Sequence, residues 1–254
     1  MNGTNSVMTR LGTAVRTSRS SRFPRLRALA VAGGVAAGAL GAVSVASLPV
    51  LAGMTSETQF TATTLVASVI AGQAAFALVG LLYVRRYLPD TVCTLPTRED
   101  LRLIAAGTVV ATAFAFGVEA FGRAVGIDPL VSVIEEVAAT EPAVLLVMAV
   151  AALLVIGPAE ELLFRGAIQG RLGRTFGPLA AVTVTSLVFT VFHVNNYDAS
   201  AASVGLAMAI IFGVSSVLGV LYDRSNNLAV PIIVHGLYDA IVFAVLYGLA
   251  VGWI

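Results

Sequence analysis

The chain has 254 residues, of which 58% are hydrophobic and only 11% are charged, and its mean hydropathy is +0.93. An ordinary soluble domain does not have this balance, so the composition indicates a polytopic membrane protein. The formal net charge of +1 gives no reason to expect a nucleic-acid partner. The single cysteine, Cys93, excludes an intramolecular disulfide and a cysteine-based metal site.

The N-terminal segment, residues 1–27, carries six arginines before the first acidic residue of the chain, Glu57. This pattern predicts a cytoplasmic tail that can contact anionic lipid. A cleavable signal peptide is the competing interpretation, but the apolar run from Ala28 to about Met54 exceeds the roughly 7–15 residues of a signal-peptide core. We therefore prefer a retained first helix. The six arginines are Arg10, Arg16, Arg19, Arg22, Arg25 and Arg27.

A membrane-spanning helix needs about 20 apolar residues, and this rule predicts an all-α, polytopic bundle of about seven transmembrane helices. Three of these helices lie within 28–125. A core of four lies within 143–245, and its last helix ends near 252. The predicted spans are 28–53, 60–84, 101–125, 143–173, 176–195, 200–222 and 229–252.

The distribution of arginine predicts how these helices are oriented. With the N-terminus in the cytoplasm, fourteen of the fifteen arginines lie on the inner side of the membrane and only Arg123 lies outside. Segments on the cytoplasmic side are enriched in arginine and lysine. We therefore expect a multi-pass protein of the cell membrane with a cytoplasmic N-terminus.

The fourth predicted helix contains two adjacent carboxylates and a guanidinium, Glu160, Glu161 and Arg165. Each ionised group costs at least roughly 2.5–3.5 kcal/mol to insert, so such groups usually face a bundle interior or a water cavity. Glu161 and Arg165 are four residues apart and can pair on one helical face. Glu160 is rotated away by about 100° and lacks this counter-ion, which makes it the better candidate for a general base. The competing interpretation is that both glutamates brace neighbouring helices.

Both histidines of the chain lie in apolar spans, with acidic residues nearby in the sequence. The fifth helix ends in Phe189 and His193, and the seventh places His235 and Asp239 four residues apart, on one face. A histidine and a carboxylate at this spacing form an oriented histidine, two metal ligands or a structural hydrogen bond. A lone histidine at a helix end is also commonly a hydrogen-bonded interface residue.

The rise of a helix tests whether these groups can meet. In a hairpin that turns at 173–177, Glu160 lies about 20 Å and His193 about 25 Å above the turn, so the two are nearly level. His235 lies only about 10 Å beyond the start of its helix. Convergence therefore requires the hairpin to extend about 10–15 Å into the cytosol, which predicts a site toward the cytoplasmic side.

These three motifs, Glu160-Glu161-xxx-Arg165, Phe189-xxx-His193 and His235-xxx-Asp239, resemble the CPBP family of intramembrane proteases. The family includes CAAX prenyl endopeptidases of the Rce1 type and bacteriocin self-immunity proteins. The resemblance covers about residues 143–245. The last motif takes Asn or Asp at its final position; prenyl proteases of the Rce1 type carry Asn, so Asp239 favours proteolysis in general over CAAX cleavage.

The resemblance implies an intramembrane endopeptidase in which Glu160 and His193 activate a water and His235 and Asp239 stabilise the oxyanion. Glu161, Arg165 and Phe189 would support these residues. The expected partners are membrane lipid and a prenylated or other peptide or protein substrate. Family members are described both as metal-free and as metalloproteases, so a Zn²⁺-dependent enzyme using Glu160, His193 and His235 is an alternative.

Two interpretations without proteolysis also remain open at this point. One is a membrane immunity or chaperone-like protein that binds peptide without cleaving it. The other is a small proton-coupled transporter that uses the buried acids as a proton relay.

Overall fold

The structure is a computed structural model that describes residues 23–53, 61–194 and 200–253. These residues form helices and connecting loops without strands, which confirms the predicted all-α bundle. Most of the predicted arginine-rich tail lies outside the described residues. The eight helices are α1 (Pro24–Gly53), α2 (Ala62–Tyr87), α3 (Arg98–Ala124), α4 (Val133–Ala138), α5 (Ala143–Gly173), α6 (Pro178–His193), α7 (Ala201–Ser225) and α8 (Ala229–Ala250).

Six of these helices, namely α1, α2, α3, α5, α7 and α8, are long and apolar enough to cross a membrane. The fifth predicted span is shorter than expected, because α6 has 16 residues and extends only about 24 Å. A short helix that the hydropathy pattern did not predict, α4, follows α3. The chain is a multi-pass membrane protein.

One end of the bundle carries most of the arginines and is called the arginine end. Arg174, just after α5, donates to the Tyr87 carbonyl at 3.2 Å and contacts Asp90 at 3.3 Å. The backbone N–H of Leu228 donates to the Val92 carbonyl at 2.8 Å. These contacts place the ends of α2 and α5 and the start of α8 at the same end.

The opposite end of the bundle contains α4 and is called the α4 end. The backbone N–H of Ala62, at the start of α2, donates to Glu141 Oε1 at 3.0 Å. Leu65 of α2, Val137 of α4 and Leu145 of α5 belong to one buried cluster. The start of α2, helix α4 and the start of α5 therefore pack together.

Two helices approach the backbone of α5 closely at glycines. A Cβ atom at Gly236 of α8 would lie 2.9 Å from Leu153 Cα, and one at Gly157 of α5 would lie 3.0 Å from the Ile232 carbonyl oxygen. A Cβ atom at Gly80 of α2 would lie 3.0 Å from an α5 backbone nitrogen. Because small residues let helices approach this closely, α5 is held between α2 and α8, with its polar side chains inside the bundle.

Candidate active site

The two glutamates of α5 lie on an α-helical turn between two π-helical segments. The segment Gly157–Glu161 is preceded by Ala152–Ile156 and followed by Leu162–Gln169. Pro158 has no N–H to donate, so a regular α-helical pattern cannot run through this point unchanged. Single-turn π segments inside α-helices are frequent at functional sites. Here they change the helical phase on both sides of Glu160 and Glu161.

Glu161 and Arg165 form an ion pair with no solvent exposure. Arg165 Nη1 lies 3.1 Å from Glu161 Oε1. Arg165 Nη2 also donates to the carbonyl and the hydroxyl oxygen of Ser215 in α7, at 2.7 and 2.8 Å. The guanidinium lies over the Phe189 ring, 5.2 Å from its centroid. Arg165 therefore links α5 to α6 and α7 while it compensates a buried carboxylate.

Glu160, with 5% exposure, shares His235 with Glu161 but contacts Gln73 instead of Arg165. Its Oε1 atom accepts a hydrogen bond of 2.7 Å from Gln73 Nε2 of α2, and its Oε2 atom lies 3.9 Å from His235 Nε2. The carboxylate is thus held on one oxygen by an amide, while the other oxygen faces the histidine of α8.

His235 lies between three carboxylates. Its Nδ1 atom is 2.8 Å from Glu161 Oε1, and its Nε2 atom is 3.4 Å from Asp239 Oδ2. Because a carboxylate only accepts hydrogen bonds, the ring proton sits on Nδ1, and this N–H donates a hydrogen bond to Glu161. The Nε2 atom is then the nitrogen that faces Glu160 and Asp239.

His193, at the end of α6, is oriented by its own helix. Its Nδ1 atom lies 2.8 Å from the Phe189 carbonyl oxygen, which can only accept, so the proton sits on Nδ1. The Nε2 atom of the neutral ring is left as an acceptor. The His193 ring stacks on Phe189 at a centroid distance of 4.6 Å, and Phe189 meets His235 edge to face at 6.0 Å.

A cavity of about 420 Å³ joins these groups. Gln73, Glu160, His193, His235 and Asp239 all line it. Its remaining lining is mainly apolar and comes from α2, α5, α6, α7 and α8 and from the start of α4. The apolar residues include Leu65, Val69, Met148, Ile156, Ile211 and Phe243.

The donor atoms do not fit a metal ion. Within 23–53, 61–194 and 200–253, no group of three His, Cys, Asp or Glu side chains is arranged to hold one. The three candidate ligands Glu160, His193 and His235 share the cavity without forming such a group. His235 Nδ1 is already used by Glu161. We therefore derive no step of the reaction through a metal.

The structure brings the seven candidate residues from the sequence into one neighbourhood, but it distributes their contacts differently. Glu161 contacts both Arg165 and His235, whereas the helical spacing had assigned it to Arg165 alone. Gln73 and Ser215 contact the site directly and were not predicted. In the sequence each of the two is only a polar residue within an otherwise apolar span, which is a weak indication of a functional role.

Comparisons with known proteins support the resemblance seen in the motifs. Residues 142–241 match the family model described as type II CAAX prenyl endopeptidase Rce1-like. A relative, the uncharacterized protein YpbD of Bacillus subtilis (strain 168), is 32% identical over 88 residues. That match covers 35% of this chain and 40% of the relative. No solved structure gives a significant match. The C-terminal helices, residues 142–241, thus match the Rce1-like, CPBP-type family that the three motifs indicated.

Proposed function

We propose that the protein is an intramembrane endopeptidase that hydrolyses peptide bonds by means of a water activated by Glu160 and His193. The observation that carries this proposal is one cavity, inside a membrane-spanning bundle, that is lined by Glu160, His193, His235 and Asp239. The match of residues 142–241 to a family of endopeptidases supports it.

The general base in this proposal is Glu160. Glu160 lines the cavity, its Oε2 atom lies 3.9 Å from His235 Nε2, and Gln73 restrains the other oxygen. His193 Nε2 accepts a hydrogen bond from the same water, because its Nδ1 atom is committed to the Phe189 carbonyl. Two acceptors on one water orient a lone pair toward the scissile carbonyl carbon, and Glu160 takes the proton as the C–O bond forms.

The oxyanion is stabilised by His235 in this proposal. With Nδ1 bonded to Glu161, a protonated His235 presents its Nε2–H to the developing negative charge. Asp239, 3.4 Å from Nε2, orients the ring and balances the imidazolium charge. The proton that Glu160 removed then passes to the leaving amine, so that the tetrahedral intermediate collapses with C–N cleavage and the carboxylate is regenerated.

The ion pair of Glu161 and Arg165 is a positioning device in this scheme. Glu161 fixes the tautomer and direction of His235, and Arg165 pairs with Glu161 where neither side chain is exposed to solvent. Phe189 stacks on His193 and meets His235 edge to face. Glu161 and Arg165 are not among the residues that line the cavity in the described part of the chain. Neither therefore contacts substrate in this scheme.

The substrate proposed is a membrane-associated peptide or protein. The mainly apolar walls of the cavity favour apolar side chains next to the scissile bond. Prenylated peptides of the CAAX type are a second substrate class, supported by the family match and not by a residue of the cavity.

The proposal is tested with the purified full-length protein in liposomes and a panel of apolar reporter peptides, with and without a prenyl group. We expect Glu160→Gln and His193→Ala to abolish cleavage while thermal unfolding shows that both variants remain folded. Leu249→Ala, an exposed position at the far end of α8, is the matched control and should retain activity. Folded Glu160→Gln protein with full activity would refute the proposal.

The alternatives give different results in the same liposomes. Loss of cleavage with a chelator and recovery with zinc would favour the zinc-dependent enzyme, whereas the proposed mechanism predicts activity without zinc. Peptide binding without cleavage would favour an immunity or chaperone-like protein. Uptake driven by a pH gradient that survives loss of His235 would favour a transporter.

A further inference from the structure

The cavity at the candidate site extends toward one end of the bundle. Besides the catalytic residues it is lined by Ser132, Val133 and Ile134, which lie at and next to the start of α4. Leu65, in the first turn of α2 at the α4 end, also lines it. This cavity therefore runs from Glu160 to the α4 end.

The other side of the site, toward the arginine end, is densely packed. Leu163, Phe164, Ile168 and Leu172 of α5 have no solvent exposure. The Phe164 ring meets the Phe189 ring edge to face at 4.8 Å. A separate cavity of about 230 Å³ lies at the arginine end against Gln169, Gly170 and Arg174, and it shares no lining residue with the cavity of the candidate site. The buried side chains of α5 therefore stand between Glu160 and the arginine end.

The same structure separates the two ends by charge. The arginine end carries Arg85, Arg86 and Arg171 in the last turns of α2 and α5, together with Arg224 at the end of α7. At the α4 end, Arg123 is paired with Glu119 at 2.6 Å, and α4 itself contributes Glu135 and Glu136. Because arginine-rich segments stay in the cytoplasm, the α4 end faces away from it.

We propose that substrate reaches Glu160 from the α4 end, which is the extracytoplasmic side of the membrane. The substrates are then apolar segments of membrane or secreted proteins that present a scissile bond in the outer half of the bilayer, and not prenylated carboxyl termini in the cytoplasmic leaflet. The statement on substrate rests on the proposed function, whereas the route into the cavity does not. This proposal differs from the prediction made from the helix rise, which placed the site toward the cytoplasmic side.

The route is tested by thiol accessibility without any need for catalysis. In a Cys93→Ser background, Val69→Cys and Ile134→Cys place a thiol in the cavity wall, and Val84→Cys places one in the packed part of α2 near the arginine end. A small membrane-impermeant thiol reagent is added to right-side-out and to inverted vesicles. We expect Val69→Cys and Ile134→Cys to react at least tenfold faster in right-side-out vesicles and Val84→Cys to react in neither. Faster reaction of both cavity thiols in inverted vesicles overturns the proposal.

The substrate class is tested with two single-span reporters that carry the same apolar cleavage segment at the outer or the inner membrane boundary. We expect the outer reporter to be cleaved at least tenfold faster. Preferential cleavage of the inner reporter overturns the proposal. If neither reporter is cleaved while the cavity thiols react from outside, the access route is supported and the proposed endopeptidase function fails.

Discussion

Gln73 Nε2 donates a hydrogen bond of 2.7 Å to Glu160 Oε1, although the two residues are 87 positions apart in the chain. The donor belongs to α2, outside the region that matches the Rce1-like family model. The N-terminal helices thus contribute a polar contact to the candidate site. In the proposed mechanism this contact holds one oxygen of the general base so that the other can face the water.

Replacement of Gln73 by methionine should reduce cleavage while leaving the fold intact. The variant keeps the length of the side chain but removes the hydrogen bond to a charged acceptor, which is worth about 1.5–3 kcal/mol. We expect kcat to fall by roughly 10–100-fold, because this energy corresponds to about one to two powers of ten in rate. Steady-state cleavage in liposomes measures the effect. The Gln73→Glu variant should be worse, since it sets a second carboxylate against Glu160. Equal activity of Gln73→Met and the native protein would contradict the assigned role.

The contacts of α5 show how far the sequence could predict the site. The spacing of Glu161 and Arg165 predicted their pairing, because residues four apart lie on one helical face. In the structure Arg165 Nη1 lies 3.1 Å from Glu161 Oε1. The contact between Glu161 and His235 was missed, because it joins residues 74 positions apart and depends on how α8 docks on α5. No periodicity within one helix contains that information.

The fold was easier to predict than these contacts, because the bilayer thickness sets the length of an apolar run. The bounds of α5 agree with the predicted 143–173 for this reason. The predicted span 176–195 exceeds α6 by two residues at each end, because hydropathy locates a helix end only to within a few residues. The six-residue α4 was missed because its acidic first turn reads as a polar loop.

Arg165→Met should destabilise the protein strongly, because the buried carboxyl group of Glu161 would lose its partner guanidinium. Removal of one partner of a buried ion pair typically costs about 3–5 kcal/mol. The double variant Arg165→Met with Glu161→Gln removes both charges, and its glutamine oxygen can still accept from His235 Nδ1. We expect the double variant to be about 1–3 kcal/mol more stable than the sum of the single effects predicts. Thermal unfolding of all four proteins in one detergent measures this coupling. Additive effects would show that the pair contributes nothing.

The orientation of the bundle can be read from the native cysteine. Cys93 is exposed and lies in the loop between α2 and α3 at the arginine end, so an impermeant maleimide should label it in inverted vesicles and not in right-side-out ones. Burial nevertheless raises the pKa of the Cys93 thiol. Because the thiolate is the reactive form, labelling at pH 7 should be slower than in the protein unfolded with detergent. The difference should shrink as the pH rises above the ordinary thiol pKa of about 8.5. Labelling from the opposite side would reverse the orientation and, with it, the side from which substrate enters.

Gly236→Ala should separate α8 from α5. The new Cβ would lie 2.9 Å from Leu153 Cα and 3.0 Å from the Ala152 carbonyl oxygen, and backbone atoms cannot move aside as a flexible side chain can. Overpacking of this kind costs about 1–3 kcal/mol, which should lower the Tm by roughly 2–12 °C in a protein of this size. Cleavage should fall as well, because the residue that precedes Gly236 in α8 is His235. The matched control is Gly117→Ala in α3, where a Cβ meets no atom within 4 Å. Alanine is the better helix former, so this control should keep or slightly raise the Tm. Equal effects of the two substitutions would mean that the close approach of α8 to α5 does not position His235.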